Sequence, residues 1–335
     1  MLSTTTARDL MTKTFPQQQF IIPDLLPVGL TIMAGRPKTC KSFLALSLAC
    51  GVSSGGMALG KIPVQQADVL FLSLEDGERR LQNRIRGMLT EDDAVPSGLL
   101  ICTNLPKSSL ITGCTKESDL RDFLKSNISV RFVVIDTLAK FRIDENGAGQ
   151  KQNDGGYARE VKSLSRLKAV ADDLGVAILV IHHTRKPQAG DSNPFDSILG
   201  STGIFATVDN AWILEKNSSD STGILYTESR DIEPMRLPMT ISSEGVWSVS
   251  EDSKLLQVSR ERQEILDTLT DYGEPMSPGD LADMLGRKGT RERAATRKLL
   301  TRMAQAGELV QPNRGLYNVP PAHPVTTVTS TYKAA

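Results

Sequence analysis

Residues 20–250 alternate between short continuous apolar runs and longer stretches of helical period. The runs Leu30-Thr31-Ile32-Met33-Ala34, Val69-Leu70-Phe71-Leu72-Ser73-Leu74, Leu99-Leu100-Ile101-Cys102, Phe132-Val133-Val134-Ile135 and Val176-Ala177-Ile178-Leu179-Val180-Ile181 have strand length and leave no polar face. They predict strands buried on both sides. Helices are predicted over Phe43–Ala49, Gly77–Met88, Glu117–Lys125 and Tyr157–Leu174, the last with Val161, Leu164, Leu167, Val170 and Leu174 on one face. The alternation predicts an α/β domain on a mainly parallel sheet. Past Ile204 come shorter strands, Ala211–Leu214, Ile224–Thr227, Leu237–Ile241 and Val246–Val249. These read as an antiparallel extension of the same sheet.

The helical pattern resumes in a separate module. Ile265, Leu266 and Leu269 mark an amphipathic helix over 260–269, and Ser277-Pro278 reads as the capped start of a second. A third spans Thr290–Ala306, with Ala294, Leu299, Leu300 and Met303 as its apolar positions. Residues 307–310 and 315–319 form a hairpin around Pro312–Arg314. Three helices and a hairpin resemble a winged helix-turn-helix. The expected organisation is an N-terminal arm (1–19), the α/β domain (20–249), a linker (250–259), the small module (260–319) and a disordered tail (320–335).

Composition narrows the class. The chain has 335 residues, 39% hydrophobic and 23% charged, as ordinary soluble domains do. No apolar run approaches the roughly 20 residues that span a bilayer, and no basic-then-apolar leader opens the chain, so a cytoplasmic protein without a membrane partner is expected. Its four cysteines, Cys40, Cys50, Cys102 and Cys114, lack zinc-ligand spacing and read as free thiols. The formal net charge is zero, so nucleic acid would have to bind through local patches.

The candidate chemistry begins at Gly35-Arg36-Pro37-Lys38-Thr39-Cys40-Lys41-Ser42, between a buried strand and a buried helix. That context makes the octet a phosphate-binding loop. Its backbone N–H groups would cradle the phosphates of ATP, Lys41 would reach the β- and γ-phosphates, and the Ser42 hydroxyl would ligate Mg²⁺. Cys40 stands where the pattern has glycine, bringing a Cβ to a place where backbone must approach phosphate closely.

Three more strand ends carry polar groups. Asp136 ends an apolar strand and resembles the Walker B carboxylate that serves Mg²⁺, although such an aspartate also caps turns. Glu75, in Ser73-Leu74-Glu75-Asp76, ends a strand expected beside the phosphate-loop strand, and can orient and deprotonate an attacking water. The alternative is that Glu75 and Asp76 favour the next helix through its dipole, a role that suits Asp76. His182 and His183 are neighbours on a strand, so they face opposite ways and do not share one ion. His183 reads as a γ-phosphate sensor, or as a histidine satisfied at the sheet edge.

Together GRPKTCKS, SLED, VVIDTLAKF, IHHTRK, LGSTGIFATVDN and ESRDIE resemble the RecA-like ATPases of the AAA_25 group, over roughly residues 20–245. That group includes the plasmid RepA-type hexameric replicative helicases and is related to the DnaB type. The resemblance implies that Glu75 activates water, Asp136 serves Mg²⁺ and His183 senses phosphate. It also implies that Arg230 reaches into the nucleotide of a neighbouring subunit, within a ring that is commonly a hexamer. On the residues alone, the alternative for Arg230 is a surface ion pair with Asp231 or Glu233.

Two loops, 142–156 and 184–201, are long and polar, and Lys151, Arg185 and Lys186 can meet the phosphates of single-stranded DNA. Acidic neighbours dilute both, and plain disorder is the alternative. Arg287, Lys288, Arg291, Arg293, Arg297, Lys298 and Arg302 oppose only Glu292, which suits duplex DNA, replication proteins or simply a solvated face. The leading expectation is an ATP-driven DNA motor, a RepA-type ring helicase of a plasmid, phage or mobile element. Its rivals are a recombination or repair ATPase and an ATP-switched DNA-binding regulator with weak hydrolysis.

Overall fold

The computed structural model describes residues 4–13, 18–89, 94–105, 116–142, 156–184, 195, 202–217, 219–230, 232–251, 254–305 and 308–320. The chain divides into two compact units, Gln19–Ser259 and Arg260–Ala335 with Met1–Gln18.

The larger unit opens with two short paired strands, β1 (Phe20–Ile22) and β2 (Leu26–Pro27), and then β3 (Gly29–Gly35). A small hairpin of β4 (Met57–Ala58) and β5 (Ile62–Pro63) follows, then β6 (Asp68–Ser73), β7 (Leu99–Cys102), β8 (Val130–Asp136) and β9 (Ala177–His183). The last four are β10 (Asn210–Glu215), β11 (Thr222–Ser229), β12 (Met235–Ile241) and β13 (Trp247–Val249). Nine strands form one sheet in the order β13-β12-β11-β10-β3-β9-β8-β6-β7. From β10 to β7 every neighbour pair is parallel, and β11, β12 and β13 continue it antiparallel.

Period-2 alternation feeds two cores. Phe132 and Val134 of β8 pack with Met33 on one face, where the helix Lys41–Ser54 lies, and Val133 and Ile135 pack with Leu30 and Ile32 on the other. Leu164, Leu167 and Val170, from the helix Gly156–Leu174, cover the second face, as their spacing predicts. The helix Lys41–Ser54 is apolar nearly all round and buried to match.

Two expectations about the sheet are corrected. β6 does not lie beside β3, because β9 and β8 stand between them and β3 is flanked by β9 and β10. Crossover connections let later strands insert, and β8 and β9, with their apolar runs Phe132–Ile135 and Ala177–Ile181, take places inside the parallel part, where both faces are buried. The segment after Ile204 is not antiparallel from its start. The helix Thr202–Thr207 brings β10 in parallel to β3, and reversal begins only at β11.

The helix Lys254–Tyr272 begins in the last residues of the larger unit and leads into the smaller one, so the expected linker at 250–259 turns helical at Lys254, where no Gly or Pro interrupts the pattern. Helices Pro278–Met284 and Thr290–Gln305 follow, then β14 (Val310–Asn313) and β15 (Leu316–Asn318), an antiparallel pair. Ser277 caps the second helix by accepting from the Asp280 N–H at 3.2 Å, with Pro278 in the first turn. Ile265, Leu269, Leu281, Leu299, Leu300 and Met303 are buried. Ala294, an expected apolar position, is exposed and Thr296 is buried instead, its hydroxyl satisfied by the Glu292 carbonyl at 3.0 Å. The hairpin turns at Arg314-Gly315, with Gly315 at φ +80°, and Pro312 lies within β14. The N-terminal arm contains the helix Ala7–Thr12. Residues 321–335, expected as a tail, lie outside the described residues.

Candidate nucleotide site

Gly35 ends β3, and its lack of a side chain is required. A Cβ there would lie 2.6 Å from the Leu214 carbonyl of β10 and 3.4 Å from Lys41 Cδ. The loop then leaves Arg36, Pro37 and Lys38 exposed and buries Thr39, whose hydroxyl donates to the Arg36 carbonyl at 2.9 Å. Lys38 and Cys40 both take positive φ, +65° each, a conformation that suits glycine. Cys40 occupies the cap position of the helix Lys41–Ser54 without a side-chain capping bond, so orphan N–H groups of the first turn remain for an anion.

Lys41 is buried, and its ammonium donates to the carbonyls of Gly35 and Arg36 at 2.8 Å each. Burial lowers its pKa from 10.5 to about 8, opposed by the negative charges of Asp136 and Glu75. Asp136, 2% exposed at the end of β8, is pushed up to about 6 by burial. A hydrogen bond from the Ser42 hydroxyl pulls it down, Glu75 and Asp76 push it up, and Arg84 pulls it down.

Asp136 Oδ1 is buried with no hydrogen-bond partner among the described residues, the condition expected of a carboxylate oxygen awaiting a cation shell. Ser42 and Asp136 therefore fit Mg²⁺ carried in on phosphates. The described residues hold no cluster of three His, Cys, Asp or Glu ligands, and a phosphate-borne Mg²⁺ needs none.

Glu75 and His183 complete the crevice. Ser73 of β6 pairs in register with Asp136, and the Leu74 N–H donates to the Asp136 carbonyl at 2.7 Å, which brings Glu75 to the same edge. Thr137 donates its hydroxyl to Glu75 Oε1 at 2.8 Å. His183 pairs in register with Gly35 and sets Nε2 3.9 Å from Glu75 Oε1. Burial and the Lys41 charge hold its pKa below 6.5, so the imidazole is neutral at pH 7 and faces Glu75 as a polar neighbour. Lys41, Asp136, Glu75 and His183 thus meet at the carboxyl ends of parallel strands, where open α/β sheets form their crevices.

The buried Asp76 forms ion pairs with the exposed Arg80 and, at 2.5 Å, with Arg84, whose guanidinium also lies 4.5 Å over the Phe43 ring. Thr137 and Arg84 were missed in the sequence. Their available signals are the position directly after Asp136 and the helical spacing of Arg80 and Arg84 from Asp76.

Arg230 sits at the other end of the sheet. Its N–H donates to the Asp209 carbonyl at 3.2 Å and its guanidinium to the Ala206 carbonyl, while the Asp209 N–H donates to the Leu30 carbonyl at the start of β3. β3 rises about 17 Å from Leu30 to Gly35, so Arg230 does not reach the Lys41 of its own chain. Lys151, Arg185 and Lys186 lie outside the described residues. In the smaller unit, Arg287 bonds Glu264 at 3.0 Å and Thr296 at 3.1 Å, and Arg293 pairs with Asp283. Those two side chains are engaged within the unit itself. Lys288, Arg291, Arg297 and Lys298 are exposed.

This sheet, loop and crevice define a RecA-like P-loop ATPase. The AAA_25 family model, described as an AAA domain, matches residues 1–189, and the chain belongs to that family. Among solved structures the chain is similar to the ATPase domain of G40-P, at 17% identity over 67% of this chain and 85% of that one, with a TM-score of 0.50. It is also similar to the RadB recombinase, at 17% identity over 68% and 92% of the two chains with a TM-score of 0.45. A DnaB-like replicative helicase solved for its interactions with primase matches at 16% identity over 66% and 57%, TM-score 0.47. No helix among the described residues is long and apolar enough to cross a membrane.

Proposed function

We propose that this ATPase is a DNA motor, a RepA-type ring helicase that hydrolyses ATP between adjacent copies of the chain. The observation that carries this reading is the separation of Arg230 from the Lys41–Asp136–Glu75 crevice, at opposite ends of β3. In this reading Arg230 serves the γ-phosphate bound by a neighbouring copy, beside the Lys41 of that copy. Closing such contacts around a ring, commonly a hexamer, completes every site.

In the proposed cycle Lys41 holds the β- and γ-phosphates, and Ser42 with Asp136 holds Mg²⁺. The bound ion would supply positive charge that offsets the charge on the phosphoryl group as it transfers. Glu75, oriented by Thr137, takes the proton of the attacking water. His183, neutral and beside both Glu75 and Gly35, reports the γ-phosphate to the strand that leads into the 184–201 loop. Arg230 stabilises the transition-state charge in trans.

Single-stranded DNA would meet the loops carrying Lys151, Arg185 and Lys186. The small unit would act as a winged helix, offering Lys288, Arg291, Arg297 and Lys298 to duplex DNA or to replication proteins.

The test is ATP hydrolysis with and without single-stranded DNA, beside Lys41→Ala and Glu75→Gln, followed by unwinding of a forked duplex. DNA-stimulated turnover and unwinding, absent from both variants, support the motor. Turnover retained by Glu75→Gln sinks the assignment of Glu75. Strand pairing without unwinding transfers the reading to a recombination ATPase. Cys40, a Cβ-bearing residue at φ +65° in the phosphate loop, favours the second reading of a nucleotide-switched regulator with weak hydrolysis. Nucleotide binding with negligible turnover and tight duplex binding would select it.

A further inference from the structure

Granted the nucleotide reading of residues 35–42, the loop has a support from outside the matched family segment. Cys40 adopts φ +65°, ψ +32°, which a Cβ disfavours and a glycine accepts freely. Its carbonyl takes the Leu44 N–H at 3.0 Å, the first turn of the following helix. It also takes the indole Nε1–H of Trp247 at 3.3 Å, from a residue 207 positions away. Trp247 is fully buried on β13, beyond residues 1–189.

The turn that leads into β13 grips the same helix. Gly245, at φ +91°, lies against Phe43 so closely that a methyl group there would overlap the ring. The Arg84 guanidinium also lies over that ring, itself paired with Asp76 beside Glu75. The end of the antiparallel extension therefore packs onto the start of the phosphate-binding helix at two adjoining points, one polar and one apolar.

We propose that Trp247 is a positioning residue for the phosphate loop. Its indole N–H holds the Cys40 carbonyl and keeps a non-glycine residue in the left-handed turn that aims the loop's N–H groups at phosphate. The antiparallel strands thereby supply from a distance the conformation that glycine would otherwise supply locally. A buried N–H needs a partner, and a strained carbonyl gains a second donor, so each group stabilises the other.

The test is a double-mutant cycle of Trp247→Phe and Cys40→Gly in the full chain. The readouts are the dissociation constant of Mg²⁺–mant-ADP, the KM and kcat for ATP, and the melting temperature. The expected result is an approximately five-fold weaker affinity for mant-ADP and a matching rise in KM for Trp247→Phe, the scale of one hydrogen bond. In the Cys40→Gly background the same change should cost less than two-fold, because glycine needs no outside hold.

Equal losses in both backgrounds overturn the proposal. So does a fall in melting temperature with affinity and KM unchanged, which would make Trp247 a core residue only. Should Trp247→Phe fail to fold, benzothienylalanine at 247 keeps the ring shape and removes only the N–H, and it is read the same way. Failure of the unaltered protein to bind mant-ADP would instead end the nucleotide reading on which the inference stands.

Discussion

Thr137 donates its hydroxyl to Glu75 Oε1 at 2.8 Å, across two strand ends that lie 62 positions apart in the chain. The bond fixes a carboxylate that is otherwise partly exposed, and the oxygen it fixes is the one facing His183. In the proposed mechanism the direction of that carboxylate sets how well it takes a proton from the attacking water. Thr137→Val, which keeps the shape and removes the hydroxyl, is expected to lower kcat about five-fold, the scale of one hydrogen bond. Mant-ADP affinity should change by less than two-fold. A loss of affinity as large as the loss of kcat would show that Thr137 shapes the loop and not the base.

The two buried charges predict a bell in nucleotide binding. Asp136 is raised to about 6, so below that pH it is protonated and Mg²⁺-nucleotide affinity falls. Lys41 is lowered to about 8, so above that pH its ammonium is lost and affinity falls again. Titration of the dissociation constant for Mg²⁺–mant-ADP from pH 5 to 9 is expected to show both limbs. Asp136→Asn should abolish the acidic one.

Linkage fixes the sign for stability of the free protein. Because the folded pKa of Asp136 exceeds its ordinary 3.8, the protonated form favours folding, and that stability is lost as pH rises through about 6. For Lys41 the folded pKa lies below 10.5, so its contribution is present at high pH and lost as pH falls through about 8. Both charges thus work against folding between about 6 and 8. Asp136→Asn is expected to raise the melting temperature at pH 7 while it removes the Mg²⁺ dependence of nucleotide binding. Thermal melts with and without EDTA check both, and an unchanged Mg²⁺ dependence would place the ion elsewhere.

Arg230 and Lys41 belong to different sites in the proposed assembly. Arg230→Ala and Lys41→Ala are each expected to lose most turnover, and a mixture of the two should recover part of it, since some interfaces combine an intact arginine with an intact lysine. Hydrolysis measured across mixing ratios checks this. No recovery at any ratio, with both proteins assembled, would argue against the arrangement in trans.

Gly35 is the position at which the loop is least tolerant. Its missing Cβ leaves 2.6 Å to the Leu214 carbonyl, a backbone atom that has no side-chain freedom with which to yield. Gly35→Ala is expected to abolish mant-ADP binding and to lower the melting temperature, whereas Cys40→Gly should do neither. Calorimetry of the two variants separates the cases.

The apolar runs at 30–34, 132–135 and 176–181 and the octet 35–42 are local patterns. Strand, loop and helix were therefore legible in the chain, and Lys41, Ser42 and Asp136 stood out as candidates for one proposed site. A strand end followed by a carboxylate is a local signal too, and it brought in Glu75. Local period says nothing about order within a sheet, because a crossover connection leaves room for strands that come later. Hence β8 and β9 lie between β3 and β6, and β10 runs parallel to β3, against expectation.

The same reason hid the polar partners. The hydroxyl of Thr137, the indole of Trp247 and the guanidinium of Arg84 act through geometry between distant segments, and no spacing rule connects residue 40 to residue 247. The basic run at 287–302 shows the converse. Composition alone treats its cations alike, and folding ties Arg287 and Arg293 to Glu264 and Asp283 while it leaves Lys288, Arg291 and Arg297 at the surface. Residue type sets which chemistry is available; the long-range pairing of strands sets which groups share a site, because hydrogen bonds and charges act only at contact distance.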